Sequence, residues 1–251
     1  MARIAKEIDS ADRYAPLFRA LGLSQCSNLS HCVYKGYSQS YGWVSLKVAE
    51  TPLARAQLAN EVRFLSEHQS PYWPTYLASG NDASYDWLLL SFEEGAVLST
   101  SGLELPEINS LLESLQNALN HLHSFGYIHG DIKPANILIT QDRSIRLVDF
   151  GSVLPIGVNY ASFPHSSISP RFSAPNPHLR QGRTHAKDDF FSIAVSVQSL
   201  YQCHPFQMQS IIFFCQQTSE PDTSALPARY QMLILQSITR AQRLLAKPPI
   251  R

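Results

Sequence analysis

The spacing of apolar residues changes character near Gly95, and that change restricts the chain to folds that combine a sheet with helices. Residues 23–48 carry short runs rich in Val, Tyr and Trp, broken by Gly36 and Gly42, which is hairpin-like composition. Pro52 then opens a helical stretch with Leu58, Val62 and Leu65 at i, i+4 and i+7. Strand-like runs follow at 76–78 and 87–92, separated by the turn-rich residues 79–82. Ahead of these, residues 3–21 read as one helix ending at Gly22. Beyond Gly95 the period is helical: Ile108, Leu111, Leu112, Leu115, Leu119 and Leu122 form one stripe, with Gly126 just past it as a stop. Two apolar runs at 136–139 and 145–148 flank a turn at 141–144. Residues 152–187 read as a long loop with five prolines, and helices are predicted around 190–201 and 229–245. The reading is an α+β chain with a β-rich first half and a larger helical second half.

Composition narrows the function classes. With 251 residues and 44% hydrophobic, the chain can bury a real core. Twenty basic residues balance twenty acidic ones, so neither nucleic acid nor an anionic membrane is indicated as a partner. Cys26, Cys32, Cys203 and Cys215 form no CxxC pair and read as free thiols of a reducing compartment. The first residues mix charges with single apolar side chains, unlike a secretory signal, and the apolar runs at 87–92 and 211–215 are too short to span a bilayer. A cytoplasmic location is expected, although a signal read by a secretion system could still lie in the N-terminus.

Two polar motifs carry the chemistry. His129-Gly130-Asp131-Ile132-Lys133-Pro134-Ala135-Asn136 is followed, thirteen positions after Asn136, by Asp149-Phe150-Gly151. Phosphoryl transfer from ATP needs a carboxylate near the acceptor hydroxyl, oxygen ligands for Mg²⁺ and cations on the phosphates. Asp131 is the candidate base, Asn136 and Asp149 are candidate metal ligands, and Lys133 lies near enough to Asp131 to reach the transferred phosphate. His129 reads as a buried, hydrogen-bonded shaper of the loop. His121 and His123 do not share a helix face, which argues against a metal site there. The run Ile211-Ile212-Phe213-Phe214 reads as core or helix packing.

These motifs resemble the catalytic loop and metal-binding triplet of the protein kinase family. Further segments resemble it in the same order. Val44-Ser45-Leu46-Lys47 is similar to the third-strand motif, which makes Lys47 the expected ligand of the nucleotide phosphates. Glu61, 61 − 47 = 14 positions on, is similar to its helix partner. Leu90-Ser91-Phe92-Glu93-Glu94-Gly95 looks like the adenine-contacting hinge. Ser169-Pro170-Arg171-Phe172-Ser173-Ala174-Pro175 resembles the substrate-positioning segment, with Ser169 as the hydroxyl that holds base and lysine. Asp189-Phe190-Phe191-Ser192 resembles the helix start that braces the catalytic loop. The resemblance implies a bilobal kinase fold: an N-terminal helical extension over 1–22, a first lobe over 23–94 and a second, minimal lobe over 95–251. It implies ATP and Mg²⁺ (or Mn²⁺), with Ser27, Asn28, Val33, Ser45, Leu90, Phe92 and Leu138 joining Lys47 and Glu61 at the nucleotide. Lys133 is the serine/threonine form, so a protein hydroxyl is the expected acceptor, its identity left open.

The sequence also departs from the family. Cys26, Asn28 and His31 fall where three glycines of the phosphate-covering loop would lie; Asn28 tolerates a left-handed backbone, and Ser27 and Ser30 could donate hydroxyls. Gly130 replaces an arginine that ordinarily receives an activation-segment phosphate, which implies a loop that works without one. Asn176 replaces a glutamate of the helical lobe. His-Gly-Asp also occurs in aminoglycoside kinases and in atypical kinases such as the RIO family, so a small-molecule or atypical phosphotransferase is the alternative. A catalytically silent binding module is the third reading.

Overall fold

The computed structural model describes residues 13–100, 104–163, 168–217 and 219–246. The chain divides into two compact units: the residues up to Ser70 together with Pro74–Glu93, and Pro71–Trp73 together with the residues from Glu94 onward.

The first unit is built on five antiparallel strands in the order β1-β2-β3-β5-β4, where β1 is Leu23–Ser30, β2 Val33–Ser38, β3 Gly42–Ala49, β4 Tyr76–Asn81 and β5 Asp86–Ser91. Alternation along the strands sends Tyr34, Val44, Leu46 and Val48 to one face, and each is 5% exposed or less. Tyr14, Leu17 and Phe18 pack into the same cluster, the last two from α1 (Ala15–Ala20). Tyr14 and Phe18 set their rings edge-on to Tyr34 at 5.6 and 5.3 Å. The helix expected over 3–21 is interrupted: Arg13 is helical, Tyr14 leaves helical geometry (ψ 12°), and the helix resumes at Ala15 with Pro16 in its first turn, where the missing N–H costs nothing. Residues 3–12 of that expectation lie outside the described residues.

Helix α2 (Pro52–Glu67) starts as its sequence signals: Thr51 accepts from the Ala54 amide at 3.2 Å and Pro52 occupies the first position. It buries Leu58, Glu61, Phe64 and Leu65. The turn expected at 79–82 falls later. Ser79, Gly80 and Asn81 continue the ladder opposite Leu88, Trp87 and Asp86, and the Asp82 carboxylate shapes the turn by accepting from the amides of Ser84 and Tyr85.

The second unit carries a three-stranded sheet, β6 (Gly95–Val97), β8 (Ile137–Thr140) and β9 (Ile145–Leu147), and a two-stranded pair of β7 (Tyr127–Ile128) with β10 (Leu154–Pro155). Its helices are α3 (Ile108–Ser124), α4 (Pro175–Leu179), α5 (Ala186–Tyr201), α6 (Ile211–Cys215) and α7 (Ala228–Leu245). The leucine stripe of α3 is the buried one: Leu111, Leu112, Leu115, Leu119 and Leu122 are 1% exposed or less. Gly126 ends α3 at φ +82°, with its amide on the His123 carbonyl. Helix α5 is buried nearly all round, from Phe191 to Gln198, which marks it as the centre of this unit. Within α6, Ile211 and Phe214 are buried and Phe213 is 54% exposed, so the apolar run there is mainly packing. Among the described residues no helix is long and apolar enough to cross a membrane.

Burial of this kind sets the scale of a test. Leu115→Ala, at a fully enclosed site, should lower unfolding free energy by about 2–5 kcal/mol through lost transfer energy and the residual cavity. Asn117→Ala, on the exposed face of the same helix, should stay within about 0.5 kcal/mol. Urea denaturation followed by circular dichroism checks both.

Candidate active site

The loop after β7 is held from outside by a single carboxylate. Asp189, in the first turn of α5 and 1% exposed, accepts the His129 amide at 2.8 Å and the Gly130 amide at 3.0 Å. A carboxylate there also faces the positive end of the helix dipole. His123 of α3 brings Nε2 to within 2.9 Å of the same carboxylate. Gly130 is glycine for two reasons. Its φ is +80°, and a Cβ would sit 2.5 Å from the Ser152 carbonyl oxygen. The place where an arginine would begin is therefore occupied by the backbone that follows Gly151. His129 is fully buried; its Nδ1 accepts from the Asp131 amide at 3.4 Å and its Nε2 faces the Val148 carbonyl at 3.2 Å, which makes Nε2 the protonated nitrogen.

Pro134 opens a 3₁₀ turn, Pro134–Asn136, and the loop thereby bends back on itself. Asp131 is engaged at both oxygens: Ser169 donates its hydroxyl to Oδ1 at 2.5 Å and Lys133 donates Nζ to Oδ2 at 2.6 Å. Lys133 reaches Ser169 Oγ as well, at 3.2 Å, which closes a triangle of acid, cation and hydroxyl. Asn136 donates Nδ2 to the Asp131 carbonyl at 2.9 Å, so its carboxamide oxygen is the atom suited to a hard cation. Asp149 adopts the left-handed region at φ 69°, ψ 71°, uncommon for a residue with a side chain. Phe150 beside it is fully buried, its ring 5.5 Å from that of Trp73 and 4.9 Å from that of His129. Leu138 is half-buried in β8, opposite Val97 and Arg146.

In the first unit, Lys47 Nζ lies 2.7 and 2.8 Å from the two carboxylate oxygens of Glu61, itself 2% exposed. Register explains which other residues share the Lys47 face. Val33 and Leu88 stand opposite Lys47, and Lys35 and Leu90 stand opposite Ser45. Residues directly opposite in an antiparallel ladder point the same way, so Val33, Ser45, Lys47 and Leu90 are brought to one face. Ser27, opposite Lys35, joins them. Asn28 does not: it pairs with Tyr34 and so faces the other side. Nor is Asn28 left-handed; the positive φ angles nearby belong to Gln25 and Cys32. The strands β1 and β2 run on to a tight turn at His31 and Cys32, with register shifts between Ser24 and Ser27 and between Asn28 and Ser30. Phe92 spends its amide on the Trp43 carbonyl and sets its ring 4.2 Å from Lys35 Nζ. The boundary between the units falls inside the segment 90–95, between Glu93 and Glu94.

Two contributors lay outside the sequence reading. His123 reaches Asp189 across 66 positions, and Tyr160 reaches the adjacent Asp188 across 28. A histidine late in α3 carries no local signal of its partner. The acidic pair Asp188-Asp189 at a helix start is the visible cue to a helix that anchors more than one segment.

The donor set suits a hard cation bound together with phosphates: one carboxylate (Asp149), one carboxamide (Asn136), and among the described residues no cluster of three or more His, Cys, Asp or Glu arranged as a metal cage.

The model of the protein kinase domain matches residues 19–239. Among similar proteins, the serine/threonine-protein kinase MRCK gamma of Homo sapiens is 29% identical over 227 residues, which is 82% of this chain and 14% of that protein. Citron rho-interacting kinase of Rattus norvegicus is 29% identical over 179 residues, 64% of this chain and 9% of that one. The O-antigen chain terminator bifunctional methyltransferase/kinase WbdD of Escherichia coli is 30% identical over 126 residues, 49% of this chain and 18% of that one. The chain thus spans less than a fifth of each of these proteins. The family match covers most of the sequence, including both motif-bearing segments and the lysine–glutamate pair, and this chain belongs to the protein kinase family.

Proposed function

We propose that the chain is an ATP-dependent serine/threonine protein kinase that transfers the γ-phosphoryl group to a protein hydroxyl. The observation that carries the reading is the Asp131–Lys133–Ser169 triangle, in which a carboxylate is oriented at both oxygens beside a lysine. Protein kinases as a family use ATP and a divalent metal; bound Mg–ATP supplies the transferable phosphoryl group. Asn136 and Asp149 are the residues proposed to hold the metal. Lys47, fixed by Glu61, is proposed for the α- and β-phosphates, and Val33, Ser45, Leu90, Phe92 and Leu138 for the nucleotide's remaining surface. In this reading Asp131 orients the acceptor hydroxyl and takes its proton, while Lys133 faces the charge that develops on the moving phosphoryl group. Ser169 holds both in place, and its origin in the 169–175 segment would couple the base to the acceptor peptide. The covering hairpin contributes Ser27 on the Lys47 face; Asn28, turned the other way, is not assigned a nucleotide contact.

A second reading has its own support. WbdD is named as an O-antigen chain terminator, and a kinase of that kind need not act on protein. Gly130 is compatible with it as well, since the His-Gly-Asp form is shared with non-protein phosphotransferases. Radiolabel transfer from γ-labelled ATP to a cell lysate separates the two: labelled protein bands support the first, label confined to small molecules or glycans supports the second. No label at all would leave a binding module.

Two sets of variants test the assignments. Asp131→Asn should lower kcat by about 10²–10⁴ with nucleotide affinity nearly unchanged, since the base acts on the proton in flight, whereas Asp149→Ala should weaken Mg–ATP binding as well as turnover. Full activity in Asp131→Asn would show that the loop is misassigned. Lys47→Met and Glu61→Ala should each reduce kcat/KM severely, yet the double variant should fall far short of the product of the two losses, because one ion pair is removed only once. Steady-state kinetics on a generic basic protein substrate reads all five.

A further inference from the structure

The residue that follows His129 has no side chain, yet the segment between Gly151 and Ser169 is tied down at many points along residues 152–163. Ile156 donates its amide to the Gly126 carbonyl at 2.7 Å. The amide of Gly157 goes to the Thr184 carbonyl, the amide of Thr184 to the Val158 carbonyl, and the amide of Tyr160 to the Gly182 carbonyl, at 2.9, 2.9 and 3.2 Å. Thr184, 1% exposed, adds its hydroxyl, which donates to the Pro155 carbonyl at 2.6 Å and accepts from the Val158 amide at 3.1 Å. Arg183 donates to the Gly157 carbonyl at 2.7 Å, and Arg180 donates to the Phe163 carbonyl.

At the centre lies Tyr160, 2% exposed and packed with Ile128 and Leu154. Its hydroxyl donates to Asp188 Oδ2 at 2.8 Å, and the same oxygen accepts the His185 amide at 2.9 Å. Asp188 and Asp189 are consecutive residues of the first turn of α5, and their duties differ. Asp189 grips the catalytic loop through the amides of His129 and Gly130, and Asp188 grips the segment that follows Gly151. One rigid helix start, packed in the centre of its unit, thus sets the position of one segment against the other.

We propose that Tyr160 is a positioning residue: by donating to Asp188 it fixes residues 152–163 against the first turn of α5, and it does without phosphorylation what a phosphate-binding arginine beside Asp131 would do with it. The proposal rests on the kinase reading above for its consequence in catalysis, but the contact itself does not. Burial raises the Asp188 carboxyl to about 6, with the Tyr160 hydroxyl pulling it back down, so at neutral pH the acceptor is charged and the bond is charge-assisted. Burial and the two neighbouring aspartates push the Tyr160 hydroxyl far up, which keeps it a donor throughout the accessible pH range. The family's arginine has no room to return, since Gly130 stands at positive φ with the Ser152 carbonyl where its Cβ would go.

The test uses Tyr160→Phe, which keeps the ring in its apolar cluster, and Asp188→Asn, which keeps an oxygen able to accept from both donors. Both are purified after phosphatase treatment and checked for an unchanged circular dichroism spectrum. In Tyr160→Phe, hydrogen exchange across residues 152–163 should accelerate by about tenfold while that of residues 111–122 is unchanged. The kcat/KM for the acceptor should fall by about tenfold with the KM for ATP unmoved, and Asp188→Asn, which keeps the acceptor oxygen but loses the charge assistance, should change both readouts in the same direction by a smaller factor. Unchanged exchange in Tyr160→Phe beside full wild-type activity would sink the tether and leave the kinase reading standing. Accelerated exchange with no change in kcat/KM would overturn the positioning role. Accelerated exchange in Tyr160→Phe, together with wild-type protein that transfers no phosphate, would sink the kinase reading and leave the tether standing.

Discussion

A buried carboxylate at the start of α5 holds the second unit's candidate site in place. Asp189 receives two backbone amides from consecutive residues of the loop 129–136 and faces the His123 ring. Hydrogen bonds to a charged acceptor are worth about 1.5–3 kcal/mol each, and removing the acceptor would strand two buried donors. The arrangement fixes where His129 and Gly130 lie, and from them the direction in which Asp131 leaves. Everything attached to Asp131 (Lys133, Ser169, Asn136) inherits that position. The helix that supplies Asp189 is itself immobilised, because Phe191, Ile193, Ala194, Val195 and Val197 are fully buried.

Backbone strain gathers at the same place. Gly130 and Asp149 both have φ near +70 to +80°, one a glycine and one not. For Gly130 the geometry costs little, and the close approach of the Ser152 carbonyl demands it. For Asp149 the left-handed backbone is a cost of roughly 1–3 kcal/mol, and the fully buried Phe150 ring against Trp73 and His129 offsets it. A strained residue persists only where its surroundings over-determine it, and here the aromatic anchor is the next residue in the chain.

The first unit solves a different problem with strand register. A lysine on the sheet can serve only if its neighbours across the ladders point the same way, and the pairings Val33↔Lys47, Lys47↔Leu88 and Ser45↔Leu90 ensure that they do. Glu61, at 2% exposure, would lose the cation that meets both its carboxylate oxygens without Lys47. Breaking such a pair from either side is costly, whereas keeping it adds little net stability, which suits a pair retained for position.

Much of this organisation is legible in the residues. The 3.6-residue leucine stripe specified α3 and its buried face, Pro52 the start of α2, Gly126 the stop of α3, and the Asp131–Asn136 and Asp149–Gly151 motifs marked the loop, since each depends on side chains a few positions apart. The sequence could not say that Asn28 pairs with Tyr34 and turns away from Lys47, because facing is set by ladder register and a shift of one residue reverses it. It could not say that residues 3–21 are interrupted at Tyr14, where packing of the tyrosine ring on Tyr34 accompanies departure from helical geometry. Nor could it show that the side chain missing at Gly130 is matched by a carbonyl from Ser152, or that Tyr160 ends on Asp188, 28 residues away. Local pattern determined which segments are strands, helices and functional loops, because propensity, capping and periodicity act within a few residues. Tertiary structure alone decided which buried polar groups become partners, because a buried donor must be satisfied by whatever acceptor the packed core brings to it, however far off in the chain.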